Sequence, residues 1–218
     1  MRPIVKICGL MRAEDVRTCI RYGVDILGFV VDYPRPVPWN LSAGDAGELI
    51  SNVVKPAEAC IVTGGQQEKI YRLAAEIKPS YVQLHSNETV DETLYLVKEL
   101  GKHGIKVIKS VFPNTPFESV LEFSKSGVYA LLLDPRSPDN ANSGGTADPA
   151  AFEKLRQAVK CPVILAGGIT HNNVSEVIRI SNPWMIDLMT GVEQSPGVKD
   201  PEKISALMAN CAGCSLRF

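Results

Sequence analysis

The chain has 218 residues, of which 45% are hydrophobic and 22% are charged, and its formal net charge is −1. This balance is typical of one large globular α/β domain and provides no general positive field for nucleic acid or an anionic membrane surface. No apolar run approaches the roughly 20 residues of a membrane span. The N-terminus lacks a signal-peptide core, so we expect a cytoplasmic protein.

Eight short apolar runs, separated by segments of helical periodicity, are the predicted strands. They cover residues 4–8, 26–30, 59–63, 81–84, 106–110, 129–133, 163–165 and 185–188. Each run is apolar almost throughout rather than alternating, which indicates strands that are covered on both faces, as in a parallel sheet.

A predicted helix follows each strand. The helices cover residues 13–22, 43–53, 67–77, 89–100, 116–124, 149–159, 173–180 and 201–209. Ser42 stands in the N-cap position of the second helix, and Lys78-Pro79 ends the third. Eight strand–helix pairs without a linker predict an α/β fold, a single (β/α)8 TIM barrel domain over residues 1–218 with a frayed tail at 210–218. An open doubly wound sheet is the alternative, because periodicity does not prove closure.

Two chemically reactive side chains stand where predicted strands end. Cys8 lies at the end of the first strand, and Asp134 directly follows the sixth. Such folds carry their chemistry at the carboxyl ends of the strands, so we expect both residues in one enzyme site. The alternatives are a small buried hydrophobic residue for Cys8 and a helix cap for Asp134. We place Lys6 on the opposite face of the first strand by alternation.

Glycine-containing loops follow the last two predicted strands. They contain Gly167 and Gly168 after the seventh strand, and Thr190 and Gly191 after the eighth. Glycine lets backbone N–H groups approach a phosphate closely, and in (β/α)8 enzymes these two loops commonly form the phosphate site. We therefore predict that these four residues bind a phosphate; the alternative is that both loops are merely tight turns.

The remaining candidate features are a long loop, the cysteines and the histidines. The loop over residues 135–148 is long for a compact domain, and we expect it to fold over the substrate. Six scattered cysteines indicate reduced thiols rather than a disulfide framework, and we favour a frayed tail over a redox or zinc role for Cys211 and Cys214. The three histidines lack metal-binding spacing, so we expect no metal.

Several longer motifs occur in order along nearly the whole chain. They include Lys6-Ile7-Cys8-Gly9-Leu10, Val82-Gln83-Leu84-His85, Leu165-Ala166-Gly167-Gly168-Ile169 and Gly191-Val192-Glu193-Gln194-Ser195-Pro196-Gly197-Val198-Lys199-Asp200. Together they resemble the phosphoribosylanthranilate isomerase family of tryptophan biosynthesis. The resemblance implies a (β/α)8 barrel without metal or organic cofactor.

The resemblance also implies a reaction and roles for individual residues. The reaction is the Amadori rearrangement of N-(5-phosphoribosyl)anthranilate to 1-(2-carboxyphenylamino)-1-deoxyribulose 5-phosphate. Cys8 matches the general base, Asp134 matches the general acid, and the two glycine loops match the phosphate site. For these roles we expect a lowered thiol pKa and a carboxyl group that is kept protonated in a poorly solvated site.

One family feature is missing from its usual place. The family has an arginine after the second strand that holds the anthranilate carboxylate, and this chain has Trp39 there. Arg35 and Arg136 are the two candidate substitutes. The changes around the aromatic half of the substrate leave open a relative that acts on another phosphosugar, or a non-catalytic phosphate-ligand-binding barrel. A monomer and a homodimer also remain open.

Overall fold

The computed structural model describes residues 1–136, 145–146 and 148–217. Its strands are β1 (Ile4–Ile7), β2 (Ile26–Val31), β3 (Asn40–Leu41), β4 (Glu58–Thr63), β5 (Tyr81–Leu84), β6 (Lys106–Val111), β7 (Ala130–Leu133), β8 (Val163–Ala166), β9 (Met185–Leu188), β10 (Glu193–Ser195) and β11 (Val198–Lys199). Its α-helices are α1 (Ala13–Arg21), α2 (Ala43–Ile50), α3 (Gln67–Ile77), α4 (Val90–Gly101), α5 (Phe117–Lys125), α6 (Pro149–Ala158), α7 (Val174–Ser181) and α8 (Pro201–Ala212).

The parallel sheet closes on itself. Neighbouring strands follow the order β1-β9-β8-β7-β6-β5-β4-β2, and β2 pairs back to β1. At the closing seam, Lys6 of β1 is in register with Ile26 of β2 on one side and with Asp187 of β9 on the other. Closure confirms the predicted (β/α)8 barrel and excludes the open sheet.

Alternation along each strand divides the apolar side chains into two clusters. Ile26, Ile108 and Ile164 belong to the smaller cluster, which fills the barrel interior. Leu27 and Phe29 belong to the larger cluster between the strands and the helices. Because both faces of every barrel strand are covered, the runs are apolar almost throughout.

Local residues set the ends of several helices, and Ser42 and Lys78 do so as the sequence predicts. Ser42 Oγ accepts a hydrogen bond from Asp45 N at the start of α2. Thr89 forms a capping box with Glu92 at the start of α4. Lys78 adopts a left-handed conformation, with φ of 54°, directly after α3.

The C-terminal segment corrects one expectation. Helix α8 continues through Ala212, and hydrogen bonds fix the residues that follow. Leu216 N donates to Met1 O at 3.0 Å, and Arg217 N donates to Asn182 Oδ1 at 2.9 Å. Residues 210–217 are therefore not frayed, because contacts with distant parts of the chain hold them. Among the described residues, no helix is long and apolar enough to cross a membrane.

Candidate active site

One cavity of about 180 Å³ opens at the carboxyl ends of the barrel strands. Seven of the eight predicted site residues line it: Cys8, Asp134, Arg136, Gly167, Gly168, Thr190 and Gly191. Arg35 lies half-buried between β2 and β3 and is not among the described residues that line the cavity. The structure therefore brings the thiol, the carboxylate and both glycine loops together. Of the 135–148 loop, residues 137–144 and 147 lie outside the described residues.

Cys8 reaches the cavity directly after β1. Its backbone N–H donates to Leu188 O at 2.8 Å, and its side chain packs against Gly28, where an added Cβ would lie 3.0 Å from the sulfur. Burial raises the pKa of the Cys8 thiol, although the positive charges of Lys6 and Lys199 oppose this shift. The expectation of a lowered thiol pKa is therefore wrong for this structure, because desolvation outweighs the cationic neighbours.

A buried ion pair lies below the thiol. Lys6 Nζ lies 2.9 Å from both carboxylate oxygens of Asp187, which lines the cavity. The placement of Lys6 on the face opposite Cys8 is wrong, because residues two apart in a strand share a face. Lys6 therefore lies beneath Cys8 in the barrel interior, where its charge acts on the thiol.

Replacing Lys6 with methionine is expected to lower the free energy of unfolding by about 3–5 kcal/mol, because Asp187 becomes an unpaired buried carboxylate. Chemical denaturation measures this loss. The double variant Lys6→Met, Asp187→Leu is expected to be more stable than the single variant, because the uncompensated charge is gone. Equal stability of the Lys6→Met variant and the parent protein would contradict this account.

Asp134 lies directly after β7 and is 2% exposed. Arg136 donates to it three times: from its backbone N to Oδ1 at 2.9 Å, from Nε to Oδ1 at 3.0 Å and from Nη2 to Oδ2 at 3.1 Å. Asp134 is therefore held as half of a partly buried, bidentate ion pair, rather than as an isolated acid in an apolar pocket.

Two further polar side chains, Gln83 and His85, line the same wall of the cavity. His85 Nε2 lies 3.8 Å from Asp134 Oδ2, and His85 Nδ1 lies 2.8 Å from Ser110 Oγ. Burial lowers the pKa of His85 to about 4, so the imidazole is neutral at pH 7. Gln83 donates from Nε2 to Ser110 Oγ at 3.2 Å, whereas its buried Oε1 has no hydrogen-bond partner among the described residues. Gln83 thus offers an acceptor to a ligand hydroxyl.

The glycine loops are tight turns at the cavity edge. Gly167 and Gly168 have φ values of 98° and 64°, a conformation that favours glycine. A Cβ at Gly191 would collide with the carbonyl oxygen of Ile169. A Cβ at Gly168 would lie 3.0 Å from Thr146 Cα. The turn geometry alone thus requires these glycines, and it also brings their backbone to the cavity.

An apolar wall faces the polar one. Trp39 is 7% exposed and packs in a cluster with Cys8, Val30, Tyr33 and Val62. The indole N–H of Trp39 donates to Glu193 Oε1 at 2.9 Å. The residue that replaces the family's arginine is therefore a fixed, buried aromatic surface within the cavity lining.

Residues 191–200, the C-terminal motif, hold this wall in place. Besides Trp39, Glu193 Oε1 accepts from Lys199 Nζ at 2.8 Å and from Gly197 N at 3.3 Å. Asp200 caps α8 by accepting from two backbone N–H groups. The motif therefore positions the segment after β9, and only its first residue, Gly191, lines the cavity.

The sequence did not indicate Gln83, His85 and Tyr33 as cavity-lining residues, whereas the family resemblance had placed Trp39 at the substrate. The signal for the first two was the position of 82–85 at a strand end, where the cavity of a barrel forms. No pattern in the sequence indicated that Trp39, which lies beyond β2, folds back over Cys8.

Comparisons with known proteins agree with this geometry. A family model described as N-(5'phosphoribosyl)anthranilate (PRA) isomerase matches residues 5–210. The N-(5'-phosphoribosyl)anthranilate isomerase of Halorubrum lacusprofundi is 33% identical over 210 residues, which cover 94% of this chain and 95% of that protein.

Two solved structures extend the comparison. The phosphoribosyl anthranilate isomerase of Thermus thermophilus superposes with a TM-score of 0.79 at 33% identity, over 97% of this chain and 98% of that one. A phosphoribosyl anthranilate isomerase in complex with reduced 1-(o-carboxyphenylamino)-1-deoxyribulose 5-phosphate superposes with a TM-score of 0.81 at 27% identity, over 98% of this chain and 100% of that one.

Proposed function

Because this chain belongs to the N-(5'-phosphoribosyl)anthranilate isomerase family, we propose that Cys8 and Asp134 are the base and acid of the family's Amadori rearrangement. The chain is an isomerase of tryptophan biosynthesis that converts N-(5'-phosphoribosyl)anthranilate to 1-(2-carboxyphenylamino)-1-deoxyribulose 5-phosphate. The observation that carries the assignment of roles is the single cavity lined by Cys8, Asp134 and both glycine loops.

In the first step, Asp134 in its protonated form donates to the furanose ring oxygen. The C1′–O bond breaks, and the anilino nitrogen forms an iminium ion. Cys8 then removes the proton from C2′ as a thiolate, which gives an enolamine that tautomerises to the ketone. Asp134 follows β7 and Cys8 follows β1, and β8 and β9 separate these strands, so the two groups reach the sugar from different sides.

Burial of Cys8 disfavours its thiolate form. A buried thiol resists ionisation until a positive charge lies beside it. The iminium ion supplies that charge next to C2′, and Lys6 and Lys199 act in the same direction. These positive charges favour the thiolate that removes the C2′ proton, and the thiol releases its own proton to solvent.

The rest of the cavity matches the other parts of the substrate. Backbone groups at Gly167–Gly168 and Thr190–Gly191 bind the phosphate, because no lysine is among the described residues that line the cavity and glycine turns suit close contact with anions. The apolar wall around Trp39 receives the aromatic ring. Arg136 binds the anthranilate carboxylate, and this assignment is preferred to Arg35 because Arg136 lines the cavity.

Replacing Trp39 with alanine is expected to raise KM about tenfold, because the aromatic ring of the substrate loses a stacking surface worth about 1.4 kcal/mol. Steady-state assays measure the change. The matched control is Trp184→Ala: Trp184 precedes β9 at the other end of the barrel, pairs with Tyr129 and should leave KM unchanged. A KM that stays at the parent value in Trp39→Ala would contradict the assigned ring site.

Genetic complementation tests the function as a whole. A strain that lacks this isomerase is expected to grow without tryptophan when it expresses the chain. No growth, with folded protein present in the extract, would favour a relative that acts on another phosphosugar.

We propose a cytoplasmic location, which the six free cysteines support. The proposed oligomeric state is either a monomer or a homodimer, and sedimentation equilibrium distinguishes the two.

A further inference from the structure

The ion pair between Asp134 and Arg136 conflicts with a general acid that needs a proton. Three hydrogen bonds from Arg136 occupy the Asp134 oxygens that would carry this proton. In the proposed reaction the same arginine also binds the carboxylate of the substrate. One guanidinium therefore faces two carboxylates in one cavity.

We propose that Arg136 exchanges partners: its guanidinium leaves Asp134 for the anthranilate carboxylate when substrate binds, and Asp134 takes up one proton from solvent. The inference rests on the proposed role of Asp134 as the acid. Substrate binding thus gives Asp134 the proton that opens the sugar ring. A ligand without the carboxylate causes no such proton uptake.

Charge balance around Asp134 favours the exchange. Lys6 is neutralised by Asp187 at 2.9 Å, and Lys109 is neutralised by Glu88 at 3.0 Å. Neither ammonium group is thus available to balance a second carboxylate. With one guanidinium and two carboxylates, a net negative charge would stay buried, which is costly unless a proton is added.

The proton has four candidate acceptors beside the ligand: Asp134, Asp187, His85 and Cys8. Asp187 stays paired with Lys6 at 2.9 Å, so it needs no proton. His85 lies 3.8 Å from Asp134, and burial keeps its pKa at about 4, so it is a poor acceptor. Cys8 is already protonated because burial raises its pKa. Asp134 loses its two guanidinium hydrogen bonds in the exchange and keeps only the one from Arg136 N, so it is the group that gains the proton.

Calorimetry on the full chain tests the exchange with two ligands. The first is the reduced product analogue with its 2-carboxyphenylamino group, and the second is the same ribitol phosphate with a phenylamino group. Titrations in two buffers of different ionisation enthalpy give the number of protons bound, and the phosphate contribution cancels between the ligands. We expect about one more proton for the carboxylate ligand, and no difference in Asp134→Asn.

Matched variants separate the arginines and the proton acceptors. Arg136→Gln is expected to weaken the carboxylate ligand about 10–100-fold and to leave the phenylamino ligand within about threefold. Arg72→Gln, on the exposed face of α3, should change neither. Weaker binding in Arg35→Gln instead of Arg136→Gln would overturn the proposal. Loss of the extra proton in His85→Gln, with the proton retained in Asp134→Asn, would also overturn it.

The experiment distinguishes this inference from the proposed function. If the parent protein turns over the substrate but binds equal numbers of protons with both ligands, only the exchange fails. If the parent protein binds neither ligand and shows no turnover, the proposed function fails with it. Thermal unfolding of Asp134→Asn and Arg136→Gln shows whether each variant is folded before it is titrated.

Discussion

Replacing Cys8 with serine is expected to lower kcat by about 10²–10⁴-fold. A serine hydroxyl is a far weaker acid than a thiol, so the variant has almost no base to remove the C2′ proton. In the parent protein, kcat/KM should rise as the pH increases, because more Cys8 thiolate forms. The midpoint of this rise should lie above the ordinary cysteine pKa of about 8.5, because burial raises the pKa of Cys8. That rise should be absent in Cys8→Ser.

The control for this variant is Cys161→Ser, since Cys161 is a free, half-buried thiol that does not line the cavity. It should retain the parent kcat and pH profile. Cys8→Ser should still bind the reduced product analogue, because the phosphate and carboxylate sites are intact. Full turnover in Cys8→Ser would remove Cys8 from the mechanism.

Replacing Asp134 with asparagine is expected to lower kcat by a similar factor, about 10²–10⁴. The amide keeps the size of the side chain and accepts a hydrogen bond from Arg136, but it has no proton to transfer to the ring oxygen. The ring then opens only by slow uncatalysed protonation. Single-turnover measurements with the substrate separate this step from binding and product release.

Asp45→Asn provides the matched carboxylate control, because Asp45 lies exposed in the first turn of α2, away from the cavity. A substrate analogue that is already ring-opened offers a second check. Asp134→Asn should process it nearly as fast as the parent protein does, whereas Cys8→Ser should not. Equal impairment of both variants on that analogue would contradict the division of labour between acid and base.

The eight barrel strands were predictable because each buries both faces and lies between amphipathic helices. Their observed bounds agree with the predicted ones to within one residue at either end. By contrast, β3 spans only Asn40–Leu41 and β11 only Val198–Lys199. Two residues are too few for any periodicity to register, and pairing with a distant segment decides their conformation.

The candidate site was predictable where chemistry depends on position along a strand. Cys8 and Gly167 follow strand ends, and barrel geometry brings such residues to one rim. The pairing of Lys6 with Asp187 joins residues 181 positions apart, so only the closed barrel reveals it. The pKa of Cys8 also depends on how deeply the thiol is buried, and the charged residues in the sequence do not reveal that burial.

The hydrogen bond from Trp39 to Glu193 has a consequence for engineering this enzyme. It joins the segment after β2 to the segment after β9, and Lys199 shares the same carboxylate oxygen. Grafting residues 32–41 from a relative with arginine at position 39 would leave Glu193 with one donor fewer in a buried place. Altered substrate preference should therefore need both segments to be transplanted as one module.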